Sequence, residues 1–117
     1  MSISIIIITF NESINIQRCL ESVKWADEII IVDSGSNDNT VKISKQYTNL
    51  VYEVDWPGFG PQKNRALAHA TSDWVLSIDA DEFISEDLKN EILETVQSKE
   101  FNAYKIPRLS SYCGKFL

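Results

Sequence analysis

Asp79 and Asp81 stand one residue apart, directly after the apolar run Trp74-Val75-Leu76-Ser77-Ile78. On a strand, side chains at i and i+2 leave the same face, so the spacing predicts two carboxylates pointing the same way at its end. Two like charges that close repel unless a positive group lies between them. Hard divalent cations, Mg2+ or Mn2+, prefer oxygen ligands and also hold substrate phosphates. A metal-assisted phosphate site is therefore one chemistry for the pair. A solvated acidic turn, with Glu82 as a third carboxylate, is the other, and the upstream elements decide between them.

Residues 3–8 form a nearly continuous apolar run rich in β-branched side chains, as expected of a central strand buried on both faces. Asn11 and Ser13 offer helix-start chemistry before the stripe Ile16, Cys19, Leu20, Val23. Residues 28–32 repeat the buried-strand pattern. The polar turn 33–40 then leads to a helix through Val41, Ile43 and Tyr47, and residues 50–54 read as a third strand. Residues 56–61 form a Pro/Gly loop, with Pro61 suited to the first position of the next helix. Residues 74–78 are the fourth strand, and Ser85 looks like the N-cap of a helix buried through Leu88, Ile92 and Val96. Residues 103–109 read as one more strand, near an edge because of Pro107.

Alternation of strand and helix predicts an α/β fold of three α/β/α layers around a mainly parallel sheet. Such sheets bind ligands at the carboxyl ends of their strands. Thr9, Asn11 and Glu12 follow the first strand, Asp33 the second, and Asp79 and Asp81 the fourth. The predicted topology gathers all of them at one edge.

The chain has 117 residues, 44% hydrophobic and 24% charged, which fits one compact domain. A net charge of -6 argues against nonspecific nucleic-acid binding. No apolar stretch approaches the roughly 20 residues needed to span a bilayer. The first residues lack the basic start and long apolar region of a signal peptide. The expected location is cytoplasmic, compatible with peripheral contact at the inner membrane. Cys19 falls on the apolar stripe and reads as a buried thiol, while nothing marks Cys113 as a nucleophile or ligand. With His69 the sole histidine, a His-dependent triad is not expected.

Four segments carry a resemblance: 5–12 (Ile5-Ile6-Ile7-Ile8-Thr9-Phe10-Asn11-Glu12), 29–40 around Asp33-Ser34-Gly35, 62–66 (Gln62-Lys63-Asn64-Arg65-Ala66), and 79–82. In order and spacing the chain resembles family 2 glycosyltransferases of the GT-A fold. The segment 19–29 and the loop 56–64 are further similar to bacterial lipopolysaccharide-core glucosyltransferases. The resemblance covers residues 1–117 as the nucleotide-sugar-binding part of such a domain, a Rossmann-like half, without the acceptor-binding half.

What the resemblance implies is specific. Thr9, Asn11 and Glu12 would line the nucleotide pocket, and Asp33 would accept the uracil N–H. Taken alone, Asp33 in Asp-Ser-Gly also suits a turn residue bonding its own backbone. Ser34 and Gly35 would let the backbone approach the ligand. Asp38 has two readings, a ligand contact or a structural fastening of the turn and second helix. Lys63 and Arg65 would approach the base or diphosphate, in competition with a simple solvated basic face. Being two apart they cannot share one helical face, and Arg65 is the preferred of the two. Asp79 and Ala80 would meet the ribose, with Asp79 also in the metal shell and Asp81 coordinating Mn2+ or Mg2+ directly.

The implied reaction is inverting transfer of a hexose, glucose by the closer resemblance, from a UDP-sugar to a saccharide or glycolipid acceptor such as the lipopolysaccharide core. The general base is expected beyond Leu117, so this segment is expected to bind donor and metal and to be weak as a transferase alone. A non-catalytic nucleotide-sugar-binding fragment is the alternative. A haloacid-dehalogenase-type phosphohydrolase also places Asp-x-Asp after an apolar strand, but only 36 residues follow Asp81. A nucleotidyltransferase would need a Gly-rich, basic phosphate loop that residues 8–12 lack. The sequence does not fix the oligomeric state.

Overall fold

In the computed structural model, residues 2–97 and 114–115 are described. The elements run β1 (Ile3–Thr9), α1 (Ile16–Glu21), β2 (Glu28–Asp33), α2 (Thr40–Ser44), β3 (Val51–Glu53), α3 (Phe59–His69), β4 (Trp74–Ser77), β5 (Glu82–Phe83), α4 (Glu86–Gln97) and β6 (Gly114–Lys115). The expected strand at 103–109, and Cys113, lie outside the described residues.

Four strands form one parallel sheet in the order β3-β2-β1-β4. The register pairs Thr9 with Asp33 and Asp33 with Glu53, so β1, β2 and β3 end level with one another. The sequence explains why β1 and β2 are central. Their β-branched runs supply apolar side chains to both faces, and both strands are almost wholly buried.

Alternation along β1 divides the core. Ile3, Ile5 and Ile7 join Ile16, Cys19 and Leu20 of α1 and Leu88, Ile92 and Val96 of α4 on one face. Ile6 joins Ile30, Val32 and Ala66 of α3 on the other. Ile43 and Tyr47 pack from the α2 region onto the first cluster. The three layers anticipated from alternation are present. Fully burying each isoleucine contributes about 1.5–3 kcal/mol of transfer free energy.

Three local expectations are corrected. Asn11 and Ser13 do not start α1, whose N-cap position is Asn15 without a side-chain cap bond. Their bonds go across to the 33–40 turn instead. Helix α3 begins at Phe59, behind Gly58 at φ 121°, which puts Pro61 at the third helical position. Proline is tolerated there because the first four helical N–H groups have no partner within the helix. The sequence pattern also missed β5 and β6, a short antiparallel pair. By contrast, Ser85 does cap α4, its hydroxyl accepting the Leu88 N–H at 3.2 Å.

Candidate active site at the carboxyl edge

Asp33 closes β2 with its carboxylate wholly out of water. Oδ1 accepts the hydroxyls of Thr9 (2.7 Å) and Ser36 (2.5 Å). Oδ2 accepts the backbone N–H groups of Gly35 (2.9 Å) and Ser36 (2.8 Å). Four donors saturate the roughly four lone-pair positions of a carboxylate. The turn role considered for Asp33 is therefore what the geometry displays, and it also fastens β2 to the end of β1. Gly35 sits at φ 95°, a backbone conformation that side chains with a Cβ rarely adopt.

The turn is tied to the β1–α1 loop from several sides. Asn11, at φ 51°, donates its N–H to the Ser36 hydroxyl and accepts the Asn37 N–H, both at 2.8 Å. Glu12 donates its N–H to the Thr40 hydroxyl at 2.8 Å. Asp38 accepts the N–H groups of Thr40 (3.0 Å) and Ser13 (3.2 Å) and the Thr40 hydroxyl. Of the two roles considered for Asp38, the fastening one has these bonds behind it. The Thr40 hydroxyl above all holds its carboxyl down at about 2.

Above this floor lies a cleft of about 460 Å³, lined by Ile8, Thr9, Phe10, Glu12, Ser34, Trp56 and Phe59. Thr9, Glu12 and Ser34 were anticipated; the three aromatics were not. Phe10, Trp56 and Phe59 are 54%, 54% and 56% exposed, an unusual cost for large apolar side chains around one opening. The available signal was a tryptophan and a phenylalanine within a Pro/Gly loop that packing alone does not require. The Ser34 hydroxyl donates to the Thr9 carbonyl at 3.3 Å, which leaves its oxygen able to accept.

The acidic pair is not on a strand. β4 ends at Ser77, and Asp79 to Asp81 form a turn closed by the Glu82 N–H on the Asp79 carbonyl at 2.9 Å. Glu82 is buried, and its carboxylate accepts the Asp79 N–H at 2.7 Å. Ala80 turns into the core, which leaves Asp79 and Asp81 half-buried on either side of it. Glu12 links this turn to the cleft. Partial burial holds its carboxyl above the ordinary range against a bond from Asn15, and the charges of Asp81, Asp38 and Asp79 add to that rise.

Among the described residues, no three of His, Cys, Asp and Glu form a ready-made metal cage. Two half-buried carboxylates on a fixed turn suit Mg2+ or Mn2+ all the same. Mg2+ in particular is commonly bound through one or two carboxylates plus water and substrate phosphates. The two basic residues diverge as their spacing requires. Lys63 Nζ lies 4.7 Å from the centre of the Phe59 ring, at the cleft wall. Arg65 instead turns back to Asp55, 2.8 Å from its carboxylate.

Two consequences concern the floor itself. Asp33→Ala strands four donors and should lower the unfolding free energy by about 3 kcal/mol in urea denaturation without ligand, whereas Ser34→Ala should cost less than about 1 kcal/mol. Because the Asp38 carboxyl is depressed from 3.8 to about 2, its contribution to stability is present above the upper value and fades as pH falls through the lower. Thermal unfolding should place Asp38→Asn below the parent at pH 5, with the difference narrowing by pH 2.

Comparison with known proteins agrees with this architecture. Residues 4–116 match the family described as Glycosyl transferase family 2. An uncharacterized glycosyltransferase of Rickettsia prowazekii is 42% identical over 116 residues, which is 96% of this chain and 40% of that protein. The chain thus spans about two fifths of the curated relatives it matches first. Among solved structures, Staphylococcus aureus TarS 1-349 superposes with a TM-score of 0.71 at 28% identity, over 83% of this chain and 32% of that one. Mycobacterium tuberculosis glucosyl-3-phosphoglycerate synthase, in complex with Mg2+ and UDP, gives 0.70 at 26%, over 85% and 40%. The parallel sheet, the cleft at its carboxyl edge and the family match agree: this chain belongs to glycosyl transferase family 2.

Proposed function

We propose that the cleft takes the uridine of a UDP-sugar and that the Asp79–Asp81 turn faces its diphosphate. The observation that carries this reading is the continuity of the site. Glu12 lines the aromatic cleft after β1, and the Asp79–Asp81 turn follows β4, which pairs in parallel with β1, so both stand at the same carboxyl edge of the sheet. Two of the solved relatives support it, one holding UDP with Mg2+ and TarS holding UDP-GlcNAc.

In this reading Trp56 stacks on the base, Phe59 and Phe10 complete its apolar surround, and the Ser34 oxygen accepts its imide N–H. Asp33 acts from beneath by orienting Thr9 and the turn. A direct contact from Asp33 to the base would require one of its four internal donors to yield. Lys63, at the Phe59 ring on the cleft wall, is the basic group proposed to reach the phosphates, since Arg65 is engaged by Asp55. Asp81 is the proposed principal metal ligand, with Asp79 beside it. When bound, Mg2+ or Mn2+ would offset the diphosphate charge and stabilise the departing UDP.

The proposed reaction is inverting transfer of a hexose, glucose, to a saccharide acceptor such as the lipopolysaccharide core. The acceptor hydroxyl needs a base. No described residue is assigned that role.

Isothermal titration of the chain with UDP, with and without Mn2+, tests the proposal. UDP should bind, and more tightly with the metal. Trp56→Ala should weaken UDP by about 1–3 kcal/mol, the value of a base–aromatic stack. Asp81→Asn should abolish the gain from Mn2+ while leaving metal-free binding intact. A folded chain that binds no UDP under either condition would contradict the reading.

A further inference from the structure

The loop between β3 and α3 and the first residue of α3 carry two of the three aromatic walls, yet burial does not hold them. Trp56 and Phe59 are both more than half exposed, so their own packing cannot fix where they stand. The backbone must do so. Entering the loop, Val54 donates its N–H to the Asp33 carbonyl at 2.8 Å; leaving it, Gln62 donates to the Gly58 carbonyl at 3.1 Å. Between these anchors Arg65 supplies the bonds. Its Nη1 donates to the Asp55 carboxylate at 2.8 Å and to the Asp55 carbonyl at 3.2 Å. The same nitrogen reaches the Gln62 Oε1 at 3.2 Å.

Gln62 gives this clamp a fixed footing. It is wholly buried on the α3 face that meets the sheet, where its Nε2 has no hydrogen-bond partner. A buried amide with one unpaired end depends on the bond its oxygen makes, because that acceptor would otherwise also be unsatisfied. The arrangement runs from the buried side of α3, through the guanidinium, to the residue directly before Trp56.

We propose that Arg65 is a positioning residue of the cleft, which fixes the Trp56 wall through Asp55 and so sets the slot for the base without touching the diphosphate. This deepens the nucleotide reading and rests on it. An exposed ion pair contributes little to global stability. Its effect is expected on binding, because a loop already held in its bound conformation loses less freedom when the ligand arrives.

Uridine and UDP separate the two roles open to Arg65. A positioning residue acts on the base slot, so it affects a ligand without phosphates as much as one with them. A phosphate contact affects UDP alone. Affinities for both ligands should be measured by NMR titration of the parent, Arg65→Met, Asp55→Ala and the double variant, with thermal midpoints in parallel. Each single variant should weaken uridine about three- to tenfold; the midpoint of Asp55→Ala should stay almost unchanged, whereas Arg65→Met, which also takes the partner from the buried Gln62 oxygen, should lower it. The double variant should be no weaker than either single one, because both remove the same clamp. If uridine affinity is untouched while Arg65→Met weakens UDP, the inference is overturned and direct phosphate contact replaces it. If the parent binds neither ligand, the nucleotide reading falls and this inference with it.

Discussion

A carboxylate removed from water at the end of a parallel sheet must find its donors within the protein, and at Asp33 that requirement organises the site. Each of its four hydrogen bonds fixes something a ligand would meet. The Thr9 hydroxyl draws β1 to β2, and the Gly35 and Ser36 N–H groups curl the turn. The Ser36 hydroxyl, donating to Asp33, can in the same geometry accept from Asn11. The β1–α1 loop is thereby held over the turn. The residue's own carbonyl then receives Val54, which starts the aromatic loop. The floor and one wall of the cleft thus share a single post.

Around that post the fold keeps negative charge concentrated rather than neutralised. Glu12, Asp79 and Asp81 stand at the same edge, and the Glu12 carboxyl is raised by its burial first, with the charges of Asp81, Asp38 and Asp79 adding to the rise. Such a cluster is costly in the free protein and favours any cation that enters with a polyanionic ligand. The turn does not relax to relieve it. Glu82 holds the Asp79 N–H, and Ala80 is packed into the core. The two carboxylates thus stand on a turn fixed by its own bonds and by the core.

The sequence exposed the frame more fully than the site. The β-branched runs of β1 and β2 and the stripe Ile16, Cys19, Leu20 are long-period signals that tertiary packing reinforces. The short elements were harder. β5 and β6 have two residues each, too few for periodicity to register. Asn11 and Ser13 were misread because a capping residue and a cross-loop tie have the same side-chain chemistry. The choice was made by residues about 25 positions away, at Ser36, Asn37 and Asp38. Asp33 shows the same limit. Residue type identified a strong acceptor but not which donors would claim it. The aromatic walls were legible only in part, because Trp56 and Phe59 sit in a loop whose glycine and prolines dominate its pattern.

The central claim is that one ligand spans the aromatic cleft and the acidic turn. A crystal structure of the chain with UDP and Mn2+ tests it most directly. The account predicts the uracil ring between Trp56 and the Thr9–Ser34 edge, with Asp81 in contact with the metal at the diphosphate and Asp33 still bonded to Thr9 and Ser36. Uracil bound away from Trp56 and Phe59, or a metal held without Asp79 or Asp81, would contradict it.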